Sequence, residues 1–275
     1  MTQNPVVRIT LTGPTLILTV LAIIISIQFF HPSFTCTLLA LAPVPWIIHN
    51  DFENFVSLGP GGTPSTFLGY LKITYLRLFA LSDPYEPASF NEPIYPSVGY
   101  YQRSQSWLPK RNGPRPTIAG IAPQRQLDQP GCVQMYQALR TALEKAAEKQ
   151  PDLLRTGTSC FEKKGLALFA KDPINATCRG EICHVHHSDR SMHMNLHPDD
   201  AKAVLEKGWG ERHPLARGGW MKAYVPREFV MVYAPRDRTE LDVVCRIIEA
   251  AGFWVNGQRL ELKAEKDRAL DVEAR

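Results

Sequence analysis

Two segments with a two-residue periodicity flank a short polar turn in the second half of the chain. Residues 181–187 and 191–196 each divide into two alternating sets of side chains, and residues 188–190 lie between them. A period of two on both sides of a polar turn is typical of a β-hairpin. The surrounding stretch, residues 181–217, contains six of the eight histidines. We therefore expect the functional residues to lie on or beside this hairpin.

The register of the hairpin decides which histidines meet. A turn centred between residues 188 and 189 places position 184 opposite position 193, with paired Cβ atoms roughly 4.5–5.5 Å apart. A slip of one residue would move position 193 to the other face of the hairpin. With the centred turn, one face carries His184, His186 and His193, and the other carries Val185, Met192, Met194 and Leu196.

A short helix is predicted directly after the hairpin. His197, Pro198 and the two acidic residues that follow are typical of a helix start, and Gly208 is typical of its end. The end of this helix brings a tryptophan, an acid and a further histidine towards the hairpin, namely Trp209, Glu211 and His213.

The spacing of the histidines is compatible with three roles. His184, His186 and His193 could hold zinc, iron or copper through neutral imidazoles, with His213 as a fourth ligand and Glu211 behind it. They could instead be structural residues held by hydrogen bonds, or they could carry acid–base chemistry. Spacing alone leaves all three roles open.

Further strands and helices are predicted around the hairpin. Strands are expected over residues 158–161, 165–170 and 228–233, and a helix over residues 131–149. A capping box from Asp237 to Glu240 opens a second helix, which is expected to run through residue 251 and to close at Gly252. Runs of strands bracketed by segregated helices favour an α+β domain built on an antiparallel sheet.

The N-terminal region has no Asp, Glu, Lys or Arg from residue 9 to residue 50. Two apolar runs, residues 14–30 and 34–48, lie within it, and a helix that spans a bilayer needs about 20 apolar residues. The length of this region and the lack of a clear cleavage site favour a membrane anchor over a cleaved signal peptide. We predict an anchor in residues 1–50, with one long or two short spans, that precedes the α+β domain.

The rest of the chain is predicted to form three parts. Residues 51–131 are a proline-rich, irregular wrapping segment with one amphipathic helix, and residues 132–258 are the catalytic α+β domain. Residues 259–275 are a charged tail, either solvated or a frayed helix. A net charge of +4 without a concentrated basic stripe predicts no nucleic-acid partner. Six cysteines without CxxC spacing favour a reduced domain that faces the cytosol.

Several runs of sequence resemble the fungal luciferase family. They are KGWGERHPLAR at residues 207–217, EIxHxH at residues 181–186 with a further histidine at position 193, and VYAPRDRTE at residues 232–240. Residues 51–60 and 115–126 are similar to family segments as well. The likeness covers most of residues 35–255, with gaps.

This resemblance implies a membrane-anchored oxygenase. Its substrate would be an enolisable hydroxy-α-pyrone or a similar polyketide-type molecule, which takes up O2 and loses CO2 without a cofactor beyond O2. An enol must lose its proton before it can give an electron to O2, and histidine, with a pKa of about 6.5, suits that base. The expected partners are a small hydrophobic substrate and a membrane, with the endoplasmic reticulum as location. A divalent metal on the three hairpin histidines is the alternative to a metal-free site.

The resemblance also suggests roles for particular residues. His184, His186, His193 and His213 would carry acid–base chemistry, Arg236 would stabilise an oxyanion, and Trp209, Glu211 and Tyr233 would bind substrate. Some of them have structural alternatives. Trp209 could be a packing anchor, Tyr233 a residue at the edge of the core, and Arg236 a salt-bridge partner of Asp237 or Glu240.

Two other functions stay open from the sequence. One is a non-luminescent homologue that catalyses another rearrangement in secondary metabolism. The other is a non-catalytic membrane protein that binds a hydrophobic ligand.

Overall fold

The computed structural model describes residues 13–30, 38, 41–90, 92–175 and 177–264. Contacts divide the chain into two units, residues 1–79 and residues 80–275. The boundary between the units falls inside the predicted wrapping segment, residues 51–131, and its part from residue 80 onwards belongs to the same unit as the histidine hairpin.

The first unit contains three described helices, α1 (Gly13–Phe30), α2 (Pro43–Ser57) and α3 (Phe67–Arg77). Asp51 on α2 is buried, accepts a hydrogen bond from the Tyr70 hydroxyl at 3.0 Å and pairs with Arg77, so α2 and α3 are held together by a buried polar cluster. Within the described residues, no helix combines the length and the apolar character that crossing a membrane requires. The described helices therefore give no support to the predicted anchor.

The second unit contains an antiparallel sheet and the helices that cover it. The described helices are α4 (Tyr100–Arg103), α5 (Val133–Lys149), α6 (Pro198–Glu206) and α7 (Arg238–Asn256). The strands are β1 (Ile118–Gly120), β2 (Gln124–Gln126), β3 (Leu154–Thr158), β4 (Leu166–Ala170), β5 (Glu181–Val185), β6 (Met192–Asn195), β7 (Gly210–Arg212) and β8 (Phe229–Val232). Short 3-10 turns occupy Cys178–Gly180 and Gly219–Ala223.

Strands β3 to β8 form one sheet in the order β3-β4-β5-β6-β8-β7, and every neighbouring pair is antiparallel. The predicted α+β class with an antiparallel sheet is thus confirmed. So is the register of the hairpin, because His184 pairs with His193 and the His186 amide donates to the Ser191 carbonyl at 2.9 Å.

The two faces of the hairpin have different surroundings. The apolar face, with Cys183, Val185, Met192 and Met194, lies in one hydrophobic core with α5 and α7. The histidine face is covered by the separate β1–β2 hairpin of the proline-rich segment. The segment also contains the short helix α4, and Asp200 ties it to α6, because the Asp200 carboxylate accepts two backbone N–H bonds from α4 at 2.7 and 3.1 Å.

Three sequence predictions about this unit were wrong in their details. The strand expected over residues 158–161 is β3, which ends at Thr158, because the chain turns between residue 159 and β4. The helix expected to close at Gly252 continues to Asn256 and ends at the left-handed Gly257. Gly252 is a packing residue instead, since a Cβ there would lie 2.0 Å from Leu260 Cδ1.

The third correction concerns the predicted charged tail, residues 259–275. Leu260 and Leu262 are buried, at 2% and 5% exposure, so this part of the tail packs on the domain through alternate residues, while residues 259, 261 and 263 are exposed. Burial of each leucine stabilises this contact by about 1.5–3 kcal/mol, and Glu261 between them stays exposed, so its charge does not oppose the packing. Residues 265–275 lie outside the described part of the chain.

Candidate functional site

Three histidines meet through their ring nitrogens on the covered face of the hairpin. His193 Nδ1 lies 3.0 Å from His186 Nε2 and 3.3 Å from His184 Nε2. All three residues are at most 4% exposed. We call these three residues the histidine cluster and the three nitrogens that face one another its inner nitrogens.

The outer nitrogen of His184 is held by a buried carboxylate. His184 Nδ1 donates to Glu181 Oε1 at 2.6 Å, and Glu181 is 1% exposed. The same carboxylate accepts from the Ser159 hydroxyl at 2.9 Å and the Cys160 amide at 2.6 Å. A carboxylate can only accept, so the His184 proton lies on Nδ1 and its inner Nε2 carries a lone pair in the neutral ring.

The outer nitrogen of His186 is held through a serine. Ser191 Oγ donates to Asp189 Oδ2 at 2.9 Å and, its single proton being committed there, accepts from His186 Nδ1 at 2.8 Å. His186 Nδ1 also lies 3.4 Å from Asp189 Oδ1. The inner Nε2 of His186 is again the nitrogen without a proton in the neutral ring.

The outer nitrogen of His193 is held by an amide on β2. His193 Nε2 lies 2.9 Å from Gln124 Oε1, and Gln124 Nε2 donates to Glu211 Oε1 at 3.0 Å. Because the Gln124 amide nitrogen faces a carboxylate, its oxygen faces His193 and accepts the Nε2 proton. Glu211 Oε2 in turn accepts from the Tyr233 hydroxyl at 3.3 Å.

Burial decides the charge of this network. It lowers the pKa of His193 well below the usual histidine range, and the neighbouring histidines lower it further. Burial also lowers the pKa of His186, although Asp189 opposes the shift. Burial raises the pKa of Glu211 to about 7, against hydrogen bonds from Tyr233 and Gln124 that favour its charged form. Near neutral pH, His186 and His193 are therefore uncharged, and Glu211 is divided between its neutral and its charged form.

Two aromatic rings line the cluster. The Phe229 ring stacks on His193, with centroids 5.0 Å apart and planes 10° from parallel. The ring centroid of Phe161 lies 4.6 Å from that of Phe229. These rings replace water beside the imidazoles. An apolar wall next to a polar cluster suits a small conjugated ligand with one ionisable oxygen.

His213 lies beside the cluster, but both of its ring nitrogens are committed to the backbone. Its ring centroid is 5.4 Å from that of His193. Nε2 donates to the Ile121 carbonyl at 2.9 Å and Nδ1 accepts from the Leu215 amide at 3.1 Å. Burial lowers the pKa of His213 to about 3. Its geometry is that of a neutral residue that ties the 213–215 turn to the β1–β2 hairpin.

The structure separates two other predicted residues from the cluster. Arg236 pairs with Glu240 through two nitrogens and donates to the Asn112 carbonyl at 2.6 Å, so it has the salt bridge named as its structural alternative. Trp209 is 3% exposed, lies in the hydrophobic core and donates from Nε1 to the Pro109 carbonyl at 2.6 Å. The proposed roles of both residues in catalysis and substrate binding stay predictions.

The structure joins the other predicted residues, Glu211 and Tyr233, to the cluster through Gln124, a residue that the sequence did not single out. The only signal for Gln124 was its place in residues 115–126, one of the runs that resemble the family. Glu181 was visible in the EIxHxH run, but its role as the partner of His184 required the bulged pairing of β4 with β5. The sequence placed Asp189 in the turn and Ser191 in the second strand, and it indicated no role in the site for either residue.

The fold and the cluster define a class of protein: an α+β domain with a desolvated set of histidines whose outer nitrogens are held by buried hydrogen-bond partners, which is typical of enzymes. Residues 179–251 match the family model described as "Luciferase domain". The chain is 33% identical over 243 residues to a luciferase of Armillaria mellea, covering 81% of this chain and 88% of that relative. It is 32% identical over 244 residues to a luciferase of Neonothopanus nambi, covering 82% and 88%.

A luciferase of Armillaria ostoyae is 34% identical over 227 residues, or 76% of this chain and 82% of that protein. The chain belongs to the fungal luciferase family, as its sequence motifs indicated. No solved structure matches it.

Proposed function

We propose that this chain is a luciferase-like oxygenase that adds O2 to an enolisable hydroxy-α-pyrone, or a similar polyketide-type substrate, with loss of CO2. Family membership supports an oxygen-using enzyme in the broad sense. The observation that carries the finer proposal is the histidine cluster, in which three buried imidazoles turn their inner nitrogens towards one point while every outer nitrogen is held. This arrangement suits an enzyme that must ionise one oxygen of its substrate.

Ionisation of the enol is the step that this site would promote. Ground-state O2 is a triplet and accepts one electron at a time, so the substrate must first become an electron-rich enolate. An inner nitrogen of the cluster can accept the enol proton on its lone pair, and a cation held by the inner nitrogens would stabilise the enolate that forms. Glu211, with a pKa of about 7, is the group of the network best able to accept the released proton near neutral pH.

Burial of the site fits the second half of the reaction. An enolate and a peroxide are protonated or hydrolysed rapidly in bulk water, and a site that excludes water protects them. The Phe229 and Phe161 rings, together with the covering β1–β2 hairpin, exclude water on the sides that they occupy.

Oxygen uptake tests this proposal. The full chain, solubilised in detergent, is given 3-hydroxyhispidin as a hydroxy-α-pyrone, and O2 consumption is recorded with photon counting in parallel. We expect uptake by the wild type and a loss of at least about 100-fold in His184→Ala, since positioned acid–base groups contribute about 10²–10⁴-fold. Light during uptake would make the chain a luciferase in the strict sense, and uptake in the dark would make it a non-luminescent oxygenase.

The matched control is His197→Asn. His197 is also buried, but its hydrogen bonds lie outside the cluster: Nδ1 caps α6 by accepting from the Asp199 amide at 3.1 Å, a role that asparagine fills well, and Nε2 donates to the Pro96 carbonyl at 3.1 Å. This variant should keep the uptake rate of the wild type. Folded wild-type protein without any uptake would overturn the proposal and favour another substrate or a binding function.

Membrane attachment, the endoplasmic reticulum and a cytosol-facing domain stay predictions. The uncharged sequence of residues 9–50 supports attachment, the scattered cysteines support a domain that faces the cytosol, and the family resemblance suggests the endoplasmic reticulum. Carbonate extraction of cell membranes that contain the full chain tests attachment, and release of the protein into the supernatant would contradict it.

A further inference from the structure

We propose that the histidine cluster is a binding site for one divalent first-row transition ion, held by His184 Nε2, His186 Nε2 and His193 Nδ1. This inference concerns the occupant of the site, and it holds whichever substrate the enzyme takes. It rests on four features of the cluster: the positions of its ring protons, the distances between its inner nitrogens, the hydrogen-bond partners of its outer nitrogens, and the buried negative charge beside it.

The three inner nitrogens cannot form hydrogen bonds with one another, because all the ring protons lie on the outer nitrogens. Each outer nitrogen faces an acceptor, Glu181 for His184, Ser191 for His186 and Gln124 for His193. In the neutral rings the inner nitrogens then carry three lone pairs within 4.8 Å of one another. Lone pairs at 3.0 and 3.3 Å repel unless a positive charge lies between them.

The distances fit a metal ion. Imidazole nitrogen binds zinc and similar ions at about 2.0–2.1 Å, so two ligands at angles between octahedral and tetrahedral lie roughly 2.9–3.4 Å apart. The two shortest separations in the cluster, 3.0 and 3.3 Å, fall inside that interval. Three neutral imidazoles are a known ligand set for such ions and leave a position open for an oxygen ligand.

Each ring is also oriented as a metal ligand usually is. Histidines that bind metals donate their other ring proton to a carboxylate, a carbonyl or a similar acceptor, which fixes both tautomer and ring direction. Glu181, the Ser191–Asp189 pair and Gln124 do this for the three rings, and all four residues are at most 5% exposed. A set of histidines exposed to solvent would not need buried acceptors, because water would satisfy their ring protons.

Buried negative charge around the cluster supports a cation. Glu181 is 1% exposed, and its donors are a hydroxyl, a backbone amide and an imidazole. Glu162 Oε2 lies 4.0 Å from His186 Nε2, and this carboxylate pairs with Arg125. Neutral imidazoles do not balance the negative charge of these buried carboxylates, whereas a divalent ion among the inner nitrogens would.

Metal binding can be measured without any substrate. The full chain is purified without a histidine tag, stripped with a chelator and titrated with Co²⁺, whose visible absorption reports its ligands. We expect saturation at about one ion per chain, competition by Zn²⁺, and a rise in melting temperature of roughly 5–10 °C at a hundredfold excess over Kd. Metal analysis of the protein before stripping should give a stoichiometric divalent ion.

Variants separate the ligands from the residues behind them. His193→Gln and His184→Ala should abolish the saturable Co²⁺ absorption. Glu181→Gln, a change in a positioning residue, should weaken Co²⁺ binding by about 10–100-fold, since loss of such partners has that effect elsewhere. His197→Asn should bind Co²⁺ as the wild type does, because its imidazole lies outside the cluster.

The outcomes are distinct. Folded wild-type protein that shows no saturable Co²⁺ absorption would overturn the metal site and leave a proton shared among the three rings. Equal Co²⁺ binding by the wild type and His193→Gln would also overturn it, since the ion would then lie elsewhere. If the metal-free wild type takes up O2 at the full rate, the metal site has no part in the reaction, whereas the oxygenase proposal stands.

Discussion

Gln124 links the histidine cluster to Glu211, and its replacement by alanine tests that link. The residue is 1% exposed, accepts from His193 Nε2 at 2.9 Å and donates to Glu211 Oε1 at 3.0 Å. Gln124→Ala leaves one donor and one acceptor buried without partners, at about 1–3 kcal/mol each. We expect the free energy of unfolding to fall by about 2–6 kcal/mol, near the lower end if a water enters the space.

Gln126 is the matched control, since it is the same residue type on the same strand. It is 4% exposed, its amide nitrogen donates to two backbone carbonyls, and its oxygen accepts from the Ala234 amide at 3.0 Å. Gln126→Ala should lose a similar free energy of unfolding. Only Gln124→Ala should allow the His193 proton to move from Nε2 to Nδ1, because only Gln124 accepts a hydrogen bond from Nε2. Urea unfolding of the full chain measures the first quantity, and ring-nitrogen NMR shifts measure the second.

Two results would refute this reasoning. A destabilisation below about 1 kcal/mol in Gln124→Ala would mean that the two hydrogen bonds are not both buried and made. An unchanged His193 tautomer would mean that something other than Gln124 fixes the proton on Nε2. In either case the link from the cluster to Glu211 would be lost as an explanation.

Two further predictions follow from buried groups. The pKa of Glu211 is about 7 in the fold against an ordinary value of 4.5, so the stability that its proton brings is complete below pH 4.5 and is lost as the pH rises through 7. Urea titration gives the free energy of unfolding of Glu211→Gln and of the wild type at each pH. The value for the variant minus that for the wild type should therefore rise by roughly 3 kcal/mol between pH 4.5 and 8. A difference that does not change with pH would contradict a desolvated carboxyl. Gly252→Ala should destabilise the domain by about 0.5–2 kcal/mol, because displacing Leu260 costs about 1.5–3 kcal/mol and alanine returns about 1 kcal/mol of helix propensity. In a Leu260→Ala background the same change should no longer destabilise, and additivity within about 0.5 kcal/mol in this cycle would show that residue 260 does not pack there.

The parts of the fold that the sequence predicted well are those set by local pattern. The hairpin register followed from a period of two and a polar turn, because a slip would bury polar side chains in the core. The start of α7 followed from its capping box, in which Asp237 accepts from the Glu240 amide at 2.9 Å. Both signals lie within a few residues of the structure that they specify.

The parts that the sequence did not predict depend on distant contacts. Strand β3 lies at the edge of the sheet and buries only Leu154, so it lacks the apolar alternation that marks an inner strand. Gly252 was read as a helix end, because nothing near it in sequence shows that Leu260 would return to pack on it. Gln124 contacts His193 from 69 residues away, and a glutamine in a proline-rich run gives no local sign of that role.

The position of the covering β1–β2 hairpin in the chain has a consequence for biosynthesis. Its partners come later, since Gln124 bonds residues 69 and 87 positions further on, and the neighbouring α4 bonds a residue 100 positions further on. At about 5–20 residues per second, the ribosome needs on the order of 5–20 s after Gln124 to complete β8. Until then the segment has no sheet to dock on, and the histidine face has no cover. Changes in the proline-rich segment should therefore reduce the yield of folded protein as well as its stability.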